Sequence, residues 1–431
     1  MTATDSSVGN SYDALVVGGG PAGSTVATLL AQHGLRVAIF EHARFPRFHI
    51  GESLLPANVP IFERLGCHDA LRRAGFLVKP GASFYDEYEG RGTNTFAFQP
   101  SAFQPAFTYN VVRASFDDIL LHNAVSAGCT VYRQHTVRHP RIEPDKVVVQ
   151  VRTPQGTQQT VRASFLVDAS GRSALLGGTL GQRELLPDLG KVAIFAHFQG
   201  ARRDSMIPDG NIRIYLVRDG WIWWIPFADG TDSVGCVLHA QVVKERGGSV
   251  EALFDEVLAA SPRLTQGLAQ ARRLTPVHTA ANFSYCVAPI VGDRYLAVGD
   301  ATGFVDPIFS AGVFIAMRSA ELAAEAIIRA FRRQDFSASA LRPYAARLHR
   351  GVTPFLAMIQ RFYEPAFLDL FFSPTPPRCL YRAVLWVLSG AAFDHQPLWL
   401  RSGLRLFFTV VRLRQAVRWA TGRPVESRWH W

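Results

Sequence analysis

The sequence has 431 residues, 48% of them hydrophobic, which suffices for a large core in one elaborate domain or two to three simpler ones. The formal net charge of +10 favours acidic partners, but no nucleic-acid-binding module accompanies it, so a nucleic-acid partner is not expected. The polar start, MTATDSSVGNSYD, has neither a basic segment nor an apolar run. It therefore does not resemble a secretory signal, and the prediction is a cytoplasmic protein.

Cysteine usage argues against a metal site. The chain has five cysteines, an odd number, and they are widely scattered without a CxxC pair. Neither a zinc site nor a disulfide framework fits this spacing, so no metal is predicted.

The N-terminal segment, residues 12–41, has the pattern of a complete βαβ unit. A strand (YDALVV) leads through a glycine turn (GGGPAG) into a helix and a second strand (LRVAIFE). Gly18, Gly20 and Gly23 form GxGxxG, with Ala22 in the same turn. This pattern lets the backbone approach a pyrophosphate at the helix N-terminus, so the segment predicts dinucleotide binding.

Acidic residues narrow the choice of dinucleotide. Glu41 ends the second strand, where a carboxylate binds ribose hydroxyls and disfavours a 2′-phosphate, so FAD or NAD is favoured over NADP. VDASGR and LAVGDATGFVDP then place Asp168 and Asp300 directly after predicted strands. Asp300 is positioned to hold a ribityl hydroxyl, which favours FAD; the alternative is two unrelated Gly-Asp turns.

The α/β pattern recurs along the chain and is interrupted by aromatic-rich β segments. The predicted fold class is α/β, with a Rossmann-type FAD-binding module, an inserted antiparallel substrate-binding sheet and a helical C-terminal region. The predicted division assigns residues 1–82, 113–188 and 276–345 to the FAD-binding module, residues 83–112 and 189–275 to the sheet, and residues 346–431 to the helical region.

Two local patterns stand out. The stretch GWIWWIPFADG has three tryptophans in four positions, which fits either core packing of a sheet or a wall against a bound group. Strand alternation predicts that Trp224 faces away from Trp221 and Trp223. Lys79 stands alone among apolar neighbours in GFLVKPG, either as a solvated loop residue or as a functional amine.

From about Tyr12 to about Ala330 the chain resembles the flavin-dependent halogenases, a branch of the aromatic-hydroxylase-like flavoproteins. The resemblance rests on GGGPAGS, HIGESLLP, GFLVKPGASF, VRASFD, WIWWIP and DPIFSAGV. The first and last motifs are shared with flavin hydroxylases and reductases, whereas the Lys79 context and the WxWxIP pattern are more specific. Besides the residues above, the resemblance implies cofactor contacts at Glu52, Ser53, Arg113, Pro307, Gly312 and Val313.

The resemblance also implies how the chemistry is divided. A wall formed by Trp221, Trp223, Ile225 and Pro226 separates the flavin from the substrate cavity. Lys79 is the catalytic residue: its ammonium hydrogen-bonds hypochlorous acid, or its amine, with a pKa lowered by burial, forms a chloramine.

The FSAGV turn leads into a helix, so the backbone N–H groups near Ala311 and Gly312 form an anion site. The resemblance makes this anion a halide; capping by phosphate or water is the alternative. Halogenases acting on free tryptophan carry a glutamate two residues before the position of Ala311, where this chain has Phe309. This departure points to a phenolic or pyrrolic substrate and leaves the general base unassigned.

The implied reaction uses FADH2 from a separate flavin reductase. Oxygen converts it to a C4a-hydroperoxide, chloride or bromide attacks the distal oxygen, and the hypohalous acid passes the wall to an aromatic substrate, free or on an acyl or peptidyl carrier protein. One alternative is a single-component aromatic hydroxylase that binds NAD(P)H itself. Another is a non-catalytic flavoprotein with a partner-binding tail.

The C-terminal stretch LWLRSGLRLFFTVVRLRQAVRW is predicted to be helical and too often interrupted by charge to span a membrane. It fits a packed helix with a solvated basic edge, a docking face for an acidic carrier protein, or a peripheral membrane helix. The membrane interpretation would bury Leu404, Phe407, Phe408 and Val411. The charged positions are Arg401, Arg405, Arg412, Arg414 and Arg418.

Overall fold

Strands joined by helices build the N-terminal part of the chain, and a second sheet and a helical region follow. The structure is a computed structural model that describes residues 11–101, 104–185, 190–281, 284–304, 306–374, 378–394 and 396–420. Within these residues the strands are β1 (Ser11–Val17), β2 (Val37–Glu41), β3 (Leu77–Lys79), β4 (Gly81–Asp86), β5 (Gly92–Ala97), β6 (Thr108–Asn110), β7 (Thr130–Arg133), β8 (Thr136–Ile142), β9 (Val147–Arg152), β10 (Gln158–Asp168), β11 (Gln182–Leu185), β12 (Lys191–Gln199), β13 (Ile212–Val217), β14 (Gly220–Pro226), β15 (Thr231–His239), β16 (Arg272–Arg273), β17 (His278–Ala281), β18 (Tyr285–Ala288), β19 (Val291–Gly292), β20 (Tyr295–Ala297) and β21 (Gly303–Phe304).

The helices are α1 (Pro21–Gln32), α2 (Val59–Leu65), α3 (His68–Arg73), α4 (Arg113–Ser126), α5 (Leu175–Thr179), α6 (Ala240–Arg246), α7 (Val250–Ala259), α8 (Pro262–Leu268), α9 (Gly312–Arg333), α10 (Ala338–Phe362), α11 (Pro365–Phe371), α12 (Arg378–Leu388) and α13 (Leu398–Ala420). Short 3-10 helices lie at Pro56–Asn58, Gly171–Ser173, Gly299–Ala301, Pro307–Phe309 and Ala391–Phe393.

The first sheet has the strand order β19-β20-β10-β1-β2-β7, extended by β9 and β8. β1 pairs in parallel with β2 and β10, and β10 with β20. β2 is buried at every position, as expected for a strand covered on both faces. α1 joins β1 to β2 and packs against α4 and α9. This is the Rossmann-type arrangement predicted from the glycine turn.

The register of this sheet brings the ends of its parallel strands to one edge. Val17 of β1 pairs with Asp168 of β10, which in turn pairs with Ala297 of β20. The glycine turn after β1 and the turn containing Asp300 after β20 therefore lie at the same edge. Ligands of open parallel sheets bind at this edge, beyond the carboxyl ends of the strands.

The second sheet has the order β16-β12-β15-β14-β13-β4-β5, with β17 also paired to β12. Its pairings are antiparallel except for the parallel pair β13 and β4. The sheet agrees with the predicted inserted antiparallel sheet, whereas the residue boundaries of the domains stay a prediction.

The two faces of β14 enter different hydrophobic clusters. Trp221, Trp223 and Ile225 belong to the main core, which also contains residues of the C-terminal helices. Ile222 and Trp224 belong to a second cluster that includes side chains of α7. The expected opposite orientation of Trp224 is confirmed, since successive side chains of a strand point to opposite faces.

The C-terminal region is helical, as predicted. α10 packs against α9, and α13 packs against α11 and α12. Among the helices that the structure describes, none has both the length and the apolar composition that crossing a membrane would require.

Candidate active site

The glycine turn after β1 forms a tight cradle. Gly18 has a φ of +103°, and a Cβ there would lie 2.3 Å from the carbonyl oxygen of Ala169. A Cβ on Gly23 would lie 1.9 Å from the carbonyl oxygen of Gly18, so both positions require glycine. α1 begins after Gly20 without a side-chain cap, and Ala22 lies in its first turn. Its first N–H groups are free to bind an anion, which fits a pyrophosphate.

Glu41 holds this turn from the neighbouring strand. Its buried carboxylate accepts hydrogen bonds from the backbone N–H of Gly19 at 2.8 Å and of Ala43 at 2.7 Å. The position at the strand end is the one predicted for ribose binding. The ribose contact itself stays a prediction.

Asp300 and Asp168 differ in how their carboxylates are paired. Asp168 accepts hydrogen bonds from the backbone N–H groups of Ser170 and Leu176, which makes it a structural cap. Among the hydrogen bonds of the described residues, none reaches the Asp300 carboxylate. Burial raises the pKa of Asp300 to about 6, against the opposing charges of Arg113 and Arg172. Asp300 thus has free acceptor oxygens for a hydroxyl group.

Arg113 is committed to contacts within the protein. It forms a two-pronged ion pair with Asp117, at 2.7 and 2.9 Å, and donates to the carbonyl oxygens of Ile50 and Gly51. It therefore fixes the HIGES segment against α4. Its predicted flavin contact remains a prediction, and its guanidinium has few donors left to make one.

The HIGES segment also carries a buried carboxylate, that of Glu52, which pairs with His197. Sequence reasoning did not predict this pair. Oε1 of Glu52 lies 2.8 Å from Nε2 of His197, while Oε2 is buried without a hydrogen-bond partner, as is the Ser53 hydroxyl. Burial lowers the pKa of His197, but the bond to Glu52 and its charge outweigh this effect, so the net shift is upward. No local sequence pattern links two residues so far apart in the chain.

The turn at residues 306–313 leads into α9. Asp306 caps it by accepting a 2.9 Å hydrogen bond from the backbone N–H of Ile308, and Ser310 has a φ of +55°. Ala311 is the N-cap residue of α9 and provides no side-chain cap. The free N–H groups of the first turn suit an anion. The predicted contact residues Pro307, Gly312 and Val313 all belong to this turn.

The tryptophan wall is fixed by hydrogen bonds from each indole. Nε1 of Trp221 donates to the Tyr363 hydroxyl at 3.0 Å, and Nε1 of Trp223 to the Ser233 hydroxyl at 3.2 Å. A Cβ on Gly235 would lie 2.2 Å from the Trp223 ring, so this indole lies directly against the backbone of β15. The other two residues predicted for the wall, Ile225 and Pro226, are also buried in β14, and their role as a wall stays a prediction.

Lys79 is a buried amine with few polar contacts to offset the loss of its hydration. Its side chain is 1% exposed, its Nζ donates to the carbonyl oxygen of Leu54 at 2.9 Å, and it lies 5.3 Å from the Phe98 ring centroid. Burial lowers the pKa of Lys79 to about 7. The interpretation of Lys79 as a solvated loop residue is therefore wrong, because β3 points it into the protein.

Unpaired polar atoms share the face of Lys79. Thr108 is its direct partner across β3 and β6, and Ser53 forms a bridge with Asn110, two residues further along β6. Three side-chain oxygens on this face are buried without hydrogen-bond partners: the Ser53 hydroxyl, the Thr108 hydroxyl and Oδ1 of the Asn110 amide. Buried polar atoms are rarely left unpaired, so this face of the β3–β6 pair suits a small polar species.

Phe309 lies in an aromatic environment. It is buried, and its ring meets Phe362 edge-on, with centroids 5.3 Å apart. Phe362 also contacts Phe84 and Phe371. The position that carries a carboxylate in the free-tryptophan type is therefore part of an apolar box.

A surface pocket of about 500 Å³, including its open mouth, reaches the wall from outside. Its lining includes Trp221 and Tyr363 together with the charged residues Asp86, Glu89 and Arg91. Leu368 of α11 forms one side. Since α13 packs on α11, the basic helix lies close to this pocket.

α13 buries one apolar face in the protein, formed by Leu400, Leu404, Phe407 and Val411. Three of the four side chains that a membrane-lying helix was expected to insert are thus already packed, so this face is not available to a membrane. Arg401, Arg405, Arg412 and Arg414 are exposed, together with Leu406 and Leu413. The side chain of Arg418 lies outside the described residues.

No cluster of potential metal ligands is found in the described part of the chain. There, His, Cys, Asp and Glu side chains form no group of three or more that could hold an ion.

The chain is similar to known FAD-binding proteins in sequence and in fold. The model of the FAD binding domain family matches residues 11–350. A solved flavoprotein/dehydrogenase from Cytophaga hutchinsonii has a TM-score of 0.86 at 26% identity, over 95% of this chain and 100% of the other. The chain is thus a flavoprotein of the FAD-binding-domain family, and the glycine cradle, the uncapped α1 and Asp300 fit FAD.

Two curated relatives narrow the class. The 1H-pyrrole-2-carbonyl-[peptidyl-carrier protein] chlorinase of Pseudomonas fluorescens is 32% identical, over 97% of this chain and 96% of the relative. The corresponding brominase of Pseudoalteromonas luteoviolacea is 36% identical, over 76% of this chain and 79% of the relative. The chain belongs to the flavin-dependent halogenases, oxidoreductases that halogenate electron-rich aromatic rings.

Proposed function

We propose that this halogenase acts on a pyrrolyl group carried as a thioester on an acidic carrier protein. Chloride or bromide and O2 are co-substrates, and a separate flavin reductase supplies the reduced FAD. The observation that carries the proposal is Phe309, buried against Phe362 where an indole-binding type has a carboxylate. Both relatives are named for pyrrole-2-carbonyl groups on a peptidyl-carrier protein.

An apolar box suits a pyrrole because the ring nitrogen itself activates the carbon that is halogenated. The overall step is ring C–H plus hypohalous acid giving ring C–X plus water, so one proton leaves the ring. A pyrrole needs no neighbouring carboxylate to raise its electron density. Phe309 and Phe362 can therefore serve for ring packing alone.

Reduced FAD, when bound, supplies hypohalous acid from O2 and halide. The chain's own residues then hold that acid. Lys79 offers the N–H groups not bound to Leu54, and the Thr108 hydroxyl lies on the same face, buried and unpaired. Together they provide donors and an acceptor for a molecule as small as HOCl or HOBr.

The wall keeps the two reactants apart. Trp221 and Trp223 present indoles whose N–H groups are already bonded within the protein, so this layer is apolar toward its surroundings. A carrier-bound ring is too large to pass it, whereas hypohalous acid has only two heavy atoms. The wall thus protects the flavin side from direct contact with the substrate.

Carrier docking is supported by the charge on α13. Arg401, Arg405, Arg412 and Arg414 are exposed on α13. Arg412 lies close enough to Glu364 to affect its titration, and Glu364 directly precedes Pro365 of the pocket lining. Basic side chains around a pocket mouth attract an acidic partner and orient it before contact. The exposed Leu406 and Leu413 add apolar area on the same helix.

The test compares pyrrole-2-carbonyl-carrier protein with free pyrrole-2-carboxylate, in the presence of FAD, NADH, a flavin reductase and chloride or bromide. Mass spectrometry of the products should show that the carrier-bound group is halogenated much faster than the free acid. Mixing the holoenzyme with NADH or NADPH alone should leave the oxidised-flavin absorbance unbleached, because hydride transfer needs a bound nicotinamide. Rapid bleaching together with a hydroxylated product would instead indicate a single-component hydroxylase.

A further inference from the structure

A chain of buried polar groups connects the 306–313 turn to the tryptophan wall. Nζ of Lys191 donates to Oδ2 of Asp306 at 2.7 Å. The Tyr363 hydroxyl donates to the same oxygen at 2.9 Å and accepts from Nε1 of Trp221 at 3.0 Å. All four side chains are buried, so water cannot readily replace a lost partner.

These four residues come from four separate parts of the fold. Lys191 opens β12, Asp306 caps the turn before α9, Tyr363 follows α10, and Trp221 lies in β14. The other oxygen of Asp306 binds the backbone N–H of Ile308. One hydrogen-bonded set therefore fixes the anion-binding turn and the wall relative to each other.

The charges of this set are balanced. Lys191 neutralises Asp306 and lies 3.4 Å from the centroid of the Tyr363 ring, a short cation–π contact. Burial and the charge of Asp306 both raise the pKa of Tyr363, so its hydroxyl keeps its proton and remains a donor. Each polar group of the set thus has a hydrogen-bond partner within it.

The hydrogen-bonded set lies between the surface pocket and the 306–313 turn. Trp221 and Tyr363 line the surface pocket, and Asp306 caps the turn that leads to Ala311 and Gly312, the predicted halide site. The Tyr363 hydroxyl is the junction between the two. Any gap opened at this junction would connect the halide side of the wall with solvent.

We propose that Tyr363, held by Asp306 and Lys191, is a positioning residue that seals Trp221 against the 306–313 turn and so retains hypohalous acid inside the protein. This inference rests on the proposed function, because it assumes that the acid forms on the turn side of the wall. Tyr363 acts through Trp221 and need not touch the acid.

The test uses the full-length holoenzyme with Tyr363→Phe, which removes one hydroxyl and keeps the ring. Tyr344→Phe is the matched control, since Tyr344 is equally buried in α10 and donates to the carbonyl oxygen of Ala297, away from the wall. Free methionine traps escaped acid: its thioether takes the oxygen to become a sulfoxide, and halide and a proton are released. Sulfoxide formed without added halide is subtracted.

Tyr363→Phe should oxidise reduced FAD at the wild-type rate. It should raise the ratio of sulfoxide to halogenated product about five-fold or more, which is the size of effect expected for the loss of a buried hydrogen bond. Tyr344→Phe should leave the ratio unchanged. An unchanged ratio for Tyr363→Phe, with the same loss of thermal stability as the control, would overturn the proposal. Should Tyr363→Phe fail to fold, Lys191→Met removes the ion pair that holds Asp306 and leaves both Tyr363 and Trp221 in place, and the same rise in the ratio is expected.

Hydrogen exchange gives a readout that does not depend on turnover or on the substrate. Tyr363→Phe should speed exchange of the amides at residues 308–313, whereas Tyr344→Phe should not. If wild type fails to halogenate the pyrrolyl carrier but this exchange difference is found, the substrate proposal fails and the positioning role stands. Equal exchange in both variants would refute the positioning role.

Discussion

Lys79 and Thr108 are direct partners across β3 and β6, and both are buried. Paired side chains on one face of an antiparallel pair have Cβ atoms about 5 Å apart, so the Lys79 amine and the unpaired Thr108 hydroxyl belong to the same buried surface.

Lys79→Met should bind FAD and oxidise the reduced cofactor normally but form no halogenated product, because the flavin chemistry lies on the other side of the wall. Lys146→Met, which removes an exposed ammonium, should behave as wild type. Product analysis beside an oxygen-consumption assay checks this. Retention of half the wild-type yield would remove Lys79 from the mechanism.

Thr108→Val should slow halogenation about ten-fold, or ~1.4 kcal/mol, because it removes one hydrogen-bonding group while keeping the shape. Single-turnover product formation is the measurement. Thr25→Val is the matched control, since the Thr25 hydroxyl is also buried without a partner but lies in α1. Equal slowing of both variants would count against a specific role for Thr108.

The halogenation rate should depend on pH through Lys79. Burial lowers the pKa of this lysine to about 7, and its place near the Phe98 ring favours the ammonium form. If the ammonium holds hypohalous acid by hydrogen bonds, single-turnover halogenation falls as the pH rises through about 7, while flavin oxidation does not follow this step. A rate that rises through the same range would indicate the amine and a chloramine instead.

FAD affinity should increase with pH through Asp300. Burial raises the pKa of Asp300 to about 6 in the free protein, and a ribityl hydroxyl donating to the carboxylate favours its charged form. Binding therefore lowers this pKa and is strengthened as the pH rises through about 6. Quenching of flavin fluorescence measures the affinity. Asp300→Asn should weaken binding and abolish this pH step; an unchanged step would assign it to another group.

Reversal of charge on α13 should affect only carrier-bound substrate. Arg401→Glu with Arg405→Glu should lower turnover of the pyrrolyl carrier about ten-fold at low salt, and less at high salt as charges are screened. A free small aromatic substrate should be processed as by wild type. The pair Arg332→Glu and Arg333→Glu, exposed at the end of α9, changes the net charge equally and should have little effect. Equal losses in both pairs would point to net charge alone.

Sequence reasoning succeeded where the signal is local. The spacing of Gly18 and Gly23, and the alternation that separates Trp221 from Trp224, follow from chain geometry within a few residues. The isolated lysine at position 79 was detectable because charge is rare in apolar runs. Lys191, at the start of KVAIFAHF, gives the same local signal.

Contacts set by topology could not be predicted in this way. His197 meets Glu52, and Tyr363 meets Trp221, only because distant strands and helices are brought together. The prediction of a helix at α13 is confirmed, but the spacing of its apolar residues does not show what covers them. Here α11 and α12 cover them rather than a lipid surface.

Gly235 limits how this enzyme can change. The Trp223 ring lies against the bare backbone at Gly235, where even a methyl group would come within 2.2 Å of the indole. In the proposed mechanism Trp223 belongs to the wall between oxidant and substrate, so Gly235 holds one indole of that wall in place. Phe309 packs against Phe362, whereas the rings that pack against Trp223 are those of Phe195 and Trp221. Substitutions at Phe309 are therefore expected to alter the packing of a substrate ring while the fit of Trp223 against Gly235 is kept.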